Sequence, residues 1–139
     1  MNTRESGEDR TTCRISGAKA VTQASDAARA FGEAQWLGED EVARLCIIIE
    51  ELVANLYDHG GVSRDEEIIL SLASEPKGLT ITILDPGRPF DPRHPRRKTD
   101  PSDRGGGAGI DIIRSWALIS SYEVTDEGNR LELFLPLAS

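Results

Sequence analysis

The sequence is poor in cysteine, and the cysteines it has follow no binding pattern. Cys13 and Cys46 are isolated from each other, which favours reduced thiols in the cytosol over a disulfide framework. Neither CxxC nor HxxxH spacing occurs, so a metal site built from cysteine and histidine is not expected. The chain also lacks apolar runs long enough to span a membrane, and its polar first residues lack a signal-peptide core. We therefore predict a cytoplasmic protein that does not bind membranes.

Positive charge is scarce as well. The chain has 16 Lys and Arg against 24 Asp and Glu, which gives a formal net charge of −8. A surface of this sign repels the phosphates of nucleic acid, so direct nucleic-acid binding is not expected. The 139 residues, 38% of them hydrophobic, suit one globular domain. We place this domain at residues 11–139 and expect residues 1–10 to form a disordered tail.

Hydrophobic periodicity predicts three helices and five strands. The predicted elements are, in order, an edge strand at Thr11–Ser16, a helix around Ala24–Phe31, a helix from Glu39 that ends before Gly60, strands at Glu67–Ser74 and Leu79–Asp85, a helix at Ile110–Ile119, and a closing hairpin of Ser121–Asp126 and Arg130–Leu137. The order predicts an α/β two-layer sandwich, in which three helices cover one face of a mixed, mainly antiparallel sheet.

The second predicted helix carries polar residues in an otherwise apolar run, "IIIEELVANLYDHGG" at Ile47–Gly61. Glu51 and Asn55 lie four residues apart and therefore share one face of the helix. Apolar residues flank this face, so both side chains are expected in half-buried space. Glu50 points well away from it, toward a side that we expect to be solvated. For an isolated ExxxN pattern a solvated helix edge remains the alternative, so the interpretation depends on accompanying motifs.

Two such motifs follow. In "DPGRPFDP", Asp85 at the end of a strand can present its carboxylate to an amino group, while Gly87 lets a flat ring come close. An ordinary β-turn is the alternative for this segment. In "RGGGAGIDIIRS", Arg104–Ser115, glycines lead into a helix N-terminus, which can bind an anion through free backbone N–H groups. A flexible loop before a capped helix is the alternative there.

The order ExxxN, DxG and then GxG before a helix resembles the GHKL ATPase superfamily. Within it, the short chain is most similar to the anti-sigma-factor serine/threonine protein kinases of bacteria, over about Thr11 to Leu137. The resemblance implies the Bergerat ATP-binding fold, with ATP and Mg²⁺ as cofactors. It also implies a STAS-type anti-anti-sigma protein and a sigma factor as partners, and it allows a homodimer.

The same resemblance implies a role for each matching residue. Glu51 would be the catalytic base or the residue that orients the attacking group, and Asn55 would bind Mg²⁺. Asp85 would accept a hydrogen bond from the adenine amino group, with Gly87 beside the ring. The phosphate loop would consist of Gly105, Gly107 and Gly109.

An ATP lid is implied at Arg88–Gly106. This segment is basic in an acidic chain, and a basic loop can clamp a triphosphate. Arg88 is its first cation and is assigned to the nucleotide site. The further cations are Arg93, Arg96, Arg97, Lys98 and Arg104. For any one of these side chains, a solvated surface charge is the alternative.

The sequence departs from the superfamily pattern in two places. Pro86 occupies the middle of the D-x-G motif and stiffens that turn. Asn129 and Arg130 stand where many relatives carry a threonine that helps bind adenine. Asn129 could supply a similar hydrogen bond, but neither residue is assigned to the site.

Three further residues need an assignment. His59 ends the second helix and is expected to cap it rather than to accept a phosphoryl group. Trp36 and Trp116 are expected to anchor the core, because no basic residues are interleaved with them as in a base-stacking surface.

The function predicted from the sequence is an Mg·ATP-dependent serine/threonine protein kinase that phosphorylates an anti-anti-sigma partner and sequesters a sigma factor. A non-catalytic nucleotide-binding module in a bacterial stress-signalling pathway is the alternative. The intact pair of Glu51 and Asn55 favours the enzyme.

Overall fold

The structure is a computed structural model, and it describes residues 4–6, 9–89 and 107–137. The elements are β1 (Arg4–Ser6), β2 (Arg10–Ile15), α1 (Ala20–Ala34), α2 (Glu39–Asp58), β3 (Ile68–Glu75), β4 (Gly78–Asp85), α3 (Gly107–Trp116), β5 (Leu118–Thr125) and β6 (Gly128–Pro136). The expected α/β arrangement is thus present. No described helix has both the length and the apolar character needed to cross a membrane.

The six strands form one sheet in the order β1-β2-β3-β4-β6-β5. Every pairing between neighbours is antiparallel, so the prediction of a mixed sheet is wrong for the described strands. The reason lies in the connections. Two helices in succession return the chain to the end of the sheet where β2 finished, so β3 runs back beside it. The crossover through the single helix α3 makes β4 and β5 run in the same direction, but these two strands are not neighbours. Strand β6 lies between them and pairs antiparallel with both.

The core lies between the sheet and the helices. Alternate residues of the central strands are buried, as expected when one face of a sheet is covered. On β3 and β4 these buried residues are Ile68, Leu70, Leu72, Leu79, Ile81 and Ile83. They join one hydrophobic cluster with the buried faces of α1, α2 and α3. Burying each of these side chains contributes about 1.5–3 kcal/mol before the entropy of ordering is counted.

Helix α2 lies between the other two helices. It packs along α1 on one side and against α3 on the other. Acids fill its first turn, where the helix dipole favours them, and the Glu41 carboxylate accepts a hydrogen bond of 3.0 Å from Gly38 N. His59 occupies its C-cap, as predicted. Helix α2 therefore spans the layer from end to end and carries the ExxxN face with it.

The two ends of the sheet differ from expectation. Residues Arg4–Ser6 lie in the segment expected to be a tail, yet they form β1 and pair with Thr11–Cys13. The strand predicted at the edge, now β2, is therefore covered on both sides. At the other end, α3 stops at Trp116, and Leu118–Ile119, predicted to be helical, already belong to β5. Apolar residues continue across this boundary, so periodicity alone does not mark it.

Strand β5 is itself irregular. The register with β6 shifts between Ile119 and Ser121, which leaves Ser120 as an extra residue in a β-bulge. The Ser120 hydroxyl donates to the backbone oxygen of Glu132 at 3.1 Å. The bulge lies in an edge strand that exposes Leu118 and Val124.

The two tryptophans have different environments. Trp116 is half-buried against the core, and the Arg44 guanidinium lies 5.8 Å from the centre of its ring. Trp36 is 93% exposed, so its predicted place in the core is wrong. It lies in the turn between α1 and α2, where no element of the sheet reaches it.

Candidate functional site

A buried carboxylate stands at the end of β4. Asp85 is 6% exposed, and its Oδ1 accepts hydrogen bonds from Gly87 N at 2.8 Å and from Asn129 Nδ2 at 3.3 Å. Burial raises the pKa of the Asp85 carboxyl above its ordinary value, and these two donors partly offset the rise. Among the described residues no donor reaches the other oxygen, Oδ2. That oxygen can accept a hydrogen bond from a ligand.

Asn129 is the second buried polar group of this corner. It is 3% exposed and is the cross-strand partner of Asp85. Its Nδ2 also donates to the Gly87 backbone oxygen at 2.9 Å. Sequence reasoning left Asn129 unassigned, because the pairing of the last strand with β4 is seen only in the structure. Asn129 thus fixes both the carboxylate and the loop beside it.

Arg130 points the other way. As its neighbour Asn129 faces the helices, Arg130 lies on the opposite face of the sheet, where its guanidinium is 3.3 Å from the Glu132 carboxylate. It does not belong to the corner around Asp85.

Gly87 is held against the end of α2. A Cβ at this position would lie 2.3 Å from Gly60 O and 2.8 Å from a methyl group of Val62, so no other residue fits without a backbone shift. The next residue, Arg88, donates its backbone N–H to Gly60 O at 2.8 Å. The loop after β4 is therefore joined to the end of α2 through main-chain contacts.

The Arg88 side chain makes a second contact with α2. Its guanidinium donates to His59 O, one of the last carbonyl groups of the helix, where the helix dipole is negative. Arg88 was assigned to the nucleotide site from the sequence. In the structure it caps α2, and its contact with phosphate stays a prediction.

Glu51 and Asn55 occupy one face of α2, and both are half-buried. Within the part of the chain that the structure describes, Asn55 Nδ2 is buried without a hydrogen-bond partner, and no residue bonds to the Glu51 carboxylate. An unpaired buried amide typically costs about 1–3 kcal/mol. A bound ligand that pairs with this amide would recover that cost.

Glu50 was expected in solvent and is instead packed against α1. The Ser25 hydroxyl donates to Glu50 Oε2 at 2.6 Å in a partly buried contact. The prediction of a solvated Glu50 is wrong, because the face of α2 opposite Asn55 is the one that α1 covers. Glu50 therefore joins two helices and lies apart from the ExxxN face.

The glycine motif lies only partly within the described residues. Helix α3 begins at Gly107, three residues before the predicted start at Ile110, so Gly107 and Gly109 lie in its first turn and not in a loop before it. Gly105 lies outside the described residues. So do the predicted lid cations Arg93, Arg96, Arg97, Lys98 and Arg104.

The donor set fits the groups that the motifs imply. A buried carboxylate with a free oxygen suits an amino-group donor, and Gly87 N holds the other oxygen of that carboxylate in place. For Mg²⁺ the fitting group is the Asn55 amide oxygen, since magnesium prefers oxygen ligands and keeps several waters. In the described part of the chain, no three His, Cys, Asp or Glu side chains cluster as they do in an all-protein metal cage.

Comparison with known families agrees with this arrangement. The model of the histidine kinase-like ATPase domain matches residues 16–135, which include α1 through most of β6. A search of curated proteins finds no match to the chain. ATP binding is expected of this kind of domain, which lies within the GHKL superfamily. Because the match covers most of its length, the chain belongs to the histidine kinase-like ATPase domain family.

Proposed function

We propose that the protein is an Mg·ATP-dependent serine/threonine protein kinase of the cytoplasm. In this proposal it phosphorylates a STAS-type anti-anti-sigma protein and otherwise sequesters a sigma factor, so that the phosphorylation state of one partner controls transcription through the other. The observation that carries the proposal is the junction of two motifs. The loop bearing Asp85 and Gly87 is joined by main-chain contacts to the end of the helix that carries Glu51 and Asn55.

Nucleotide recognition is assigned to the corner at Asp85. Its Oδ2 would accept the adenine amino group, while Asn129 and Gly87 N hold Oδ1 and so fix the direction of the carboxylate. A guanine base carries an oxygen where adenine carries this amino group, and a carboxylate oxygen would repel it. The arrangement therefore favours ATP over GTP.

Metal binding is assigned to Asn55. Its amide oxygen would be one ligand of Mg²⁺, with phosphate oxygens and waters completing the shell. Bound Mg²⁺ would neutralise charge on the phosphates. We expect Asn55→Ala to abolish the enhancement of ATP binding by Mg²⁺, measured by calorimetry with and without the ion. Equal enhancement in wild type and variant would contradict the assignment.

Glu51 is assigned the chemical step. It lies one helical turn before Asn55 on the same face, so it can reach the group that attacks the terminal phosphate. There it would orient a serine or threonine hydroxyl of the partner and accept its proton as the γ-phosphoryl group is transferred from ATP to the hydroxyl oxygen and ADP leaves. Such chemistry is mostly positioning and charge stabilisation.

The proposal is tested by label transfer. Purified protein is incubated with γ-labelled Mg·ATP and, one at a time, with the STAS proteins encoded in the same genome. We expect label on a serine or threonine of one of them, and none when Glu51→Gln replaces the wild type. ATP binding without transfer to any STAS protein would favour the alternative of a non-catalytic nucleotide-binding module.

We propose in addition that the chain forms the homodimer that the resemblance allows, and sedimentation of the purified chain tests this. A molecular mass of twice the monomer at micromolar concentration is the expected result. A monomer at all concentrations would remove the dimer from the proposal and leave the kinase assignment unaffected.

A further inference from the structure

The turn between α1 and α2 has an unusual residue at its centre. Trp36 N donates to Glu33 O and Leu37 N donates to Gly32 O, each at 3.1 Å. This pair of hydrogen bonds is the Schellman motif that ends many helices, and Trp36 occupies its left-handed position with φ of 62°. Glycine usually fills this position because it has no Cβ to strain the backbone.

Packing against the described residues does not offset this strain at Trp36. A bulky residue with positive φ is a conformational outlier, and the Trp36 side chain is 93% exposed. The fold would be at least as stable with glycine here. Among residues 4–6, 9–89 and 107–137 nothing covers the indole ring, so its apolar surface is open to another molecule.

The surroundings of Trp36 are acidic. From residue 30 to residue 43 the chain contains no lysine or arginine. The acids of this segment are Glu33, Glu39, Asp40 and Glu41. Glu33, Glu39 and Asp40 are exposed. We call residues 33–41 the Trp36 turn.

A cavity adjoins the start of α2 at the same end of the molecule. Its volume is about 190 Å³, and Asp40, Glu41, Arg44, Leu135, Pro136 and Leu137 line it. Arg44 is the one cation of this lining, and its guanidinium lies over the Trp116 ring. Asp40 and Glu41 thus belong both to the Trp36 turn and to the lining of this cavity.

We propose that the Trp36 turn is a docking surface for a protein partner that carries an apolar pocket rimmed by lysine and arginine. The indole ring would fill the pocket, and the exposed carboxylates would meet the basic rim, which gives both affinity and orientation. Anionic lipid surfaces and nucleic acids would be repelled by the same carboxylates. A basic protein surface is the occupant that satisfies both the charge and the ring.

Resting on the proposed function, we identify this partner as the sequestered sigma factor. A protein that binds DNA must expose basic side chains, and the Trp36 turn would cover part of that surface. The turn precedes α2, whereas Gly60 at the other end contacts the Asp85 corner, and 20 helical residues extend about 30 Å. Docking at the turn therefore leaves the nucleotide site open.

The experiment measures binding of each purified sigma factor from the same genome to the full chain, by calorimetry at low and at physiological salt. We expect one factor to bind the wild type, and Trp36→Gly to weaken that binding by roughly 30-fold or more, as for a central aromatic anchor. The melting temperature of Trp36→Gly should equal or exceed that of the wild type. Binding should weaken with added salt, and Glu33→Gln should reduce this salt dependence.

Trp116→Phe is the matched control. It changes the other tryptophan, leaves the Trp36 turn intact and should bind the sigma factor like the wild type. In this variant Trp36 is the single fluorophore of its kind, so its emission should shift to the blue and be protected from acrylamide when the sigma factor binds.

Three other outcomes would each overturn the docking proposal. If the sigma factor binds Trp36→Gly as tightly as the wild type, the docking proposal is wrong and the proposed function stands. If no sigma factor binds the wild type, sequestration fails, and the docking proposal fails with it, even where label transfer succeeds. If Trp36→Gly instead converts a dimer to a monomer, the occupant is a second copy and the proposal is overturned.

Discussion

The Asp85 corner and the Glu51–Asn55 face of α2 belong to one candidate site, yet they are built differently. At the corner, Asp85 Oδ1 accepts hydrogen bonds from Gly87 N and Asn129 Nδ2, and Asn129 Nδ2 also donates to Gly87 O. On the helix face, Asn55 Nδ2 is buried without a partner. The corner is therefore shaped before any ligand arrives, whereas the helix face is complete only with one.

This difference suits the two tasks that we propose. A recognition group gains from being fixed in advance, because binding then spends little free energy on ordering side chains. A group that acts on a transferred phosphate must contact atoms that are absent until ATP and a partner are bound. Variants that affect one region and spare the other test this division.

The largest effect is expected from the helix face. Glu51→Gln keeps the shape of the side chain and removes its charge, so phosphoryl transfer should fall by about 10²-fold or more while ATP binding is retained. Label transfer and calorimetry on the same preparation measure the two quantities. If Glu51→Gln lost both ATP binding and phosphoryl transfer, Glu51 would belong to nucleotide recognition. The proposed difference between the helix face and the corner would then be wrong.

Glu50→Gln is the control for that experiment. Glutamine keeps an oxygen that can accept the Ser25 hydrogen bond, and Glu50 lies apart from the ExxxN face. The variant should transfer label and bind ATP nearly as the wild type does. If Glu50→Gln is the inactive variant, the two glutamates have been assigned to the wrong faces of α2.

The next largest effect that we expect is a loss of ATP affinity when the Asp85 corner is changed. Asp85→Asn replaces the carboxylate that would accept the adenine amino group, so ATP affinity should fall by about 1–3 kcal/mol, the range for a hydrogen bond to a charged group. Titration calorimetry of the folded variant gives this value directly. An unchanged affinity would remove Asp85 from adenine recognition.

Gly87→Ala tests how tightly the corner is built. The added Cβ would meet the Gly60 backbone oxygen at 2.3 Å, and overpacking of this kind costs about 1–3 kcal/mol of unfolding free energy. Gly38→Ala is the matched control, because its Cβ would meet only a Glu41 carboxylate oxygen at 3.6 Å. Urea unfolding should separate the two variants. Equal stabilities would mean that the loop at Gly87 yields easily.

The smallest effect that we expect is a dependence of stability on pH, through Asp85. Because burial raises the pKa of Asp85 in the folded state, its contribution to stability is complete below its ordinary pKa of about 3.9 and is lost as the pH rises through the higher folded value. Asp85→Asn lacks this loss. The melting temperature of Asp85→Asn minus that of the wild type should therefore be larger at pH 7 than at pH 4. A difference that is independent of pH would show that the carboxyl does not titrate abnormally.

Local patterns were sufficient to predict much of the fold. The apolar stripe of α2 and the strands around the Glu75–Gly78 turn depend on neighbours in sequence, and the observed elements agree within one or two residues. The roles of Glu51, Asn55 and Asp85 came from motif order and stay predictions. Asn129 could be placed beside Asp85 only once the pairing of β6 with β4 was known.

Two of the errors share one physical cause, which is contact between distant parts of the chain. Glu50 is half-buried because Ser25, on another helix, reaches it. The error at Trp36 is local instead, since this residue is exposed in the left-handed position of the turn that ends α1. The end of α3 was misplaced because Leu118 and Ile119 suit a helix and a strand equally well, and pairing with β6 decides between them.

The bulge at Ser120 has a consequence for how this protein coexists with its own copies. An open edge strand with Leu118 and Val124 exposed could add a strand from another chain and so begin aggregation. An extra residue breaks the regular spacing of free N–H and C=O groups that such an addition needs, and it twists the strand locally. The bulge at Ser120 therefore makes strand addition at this edge less favourable than along a regular strand.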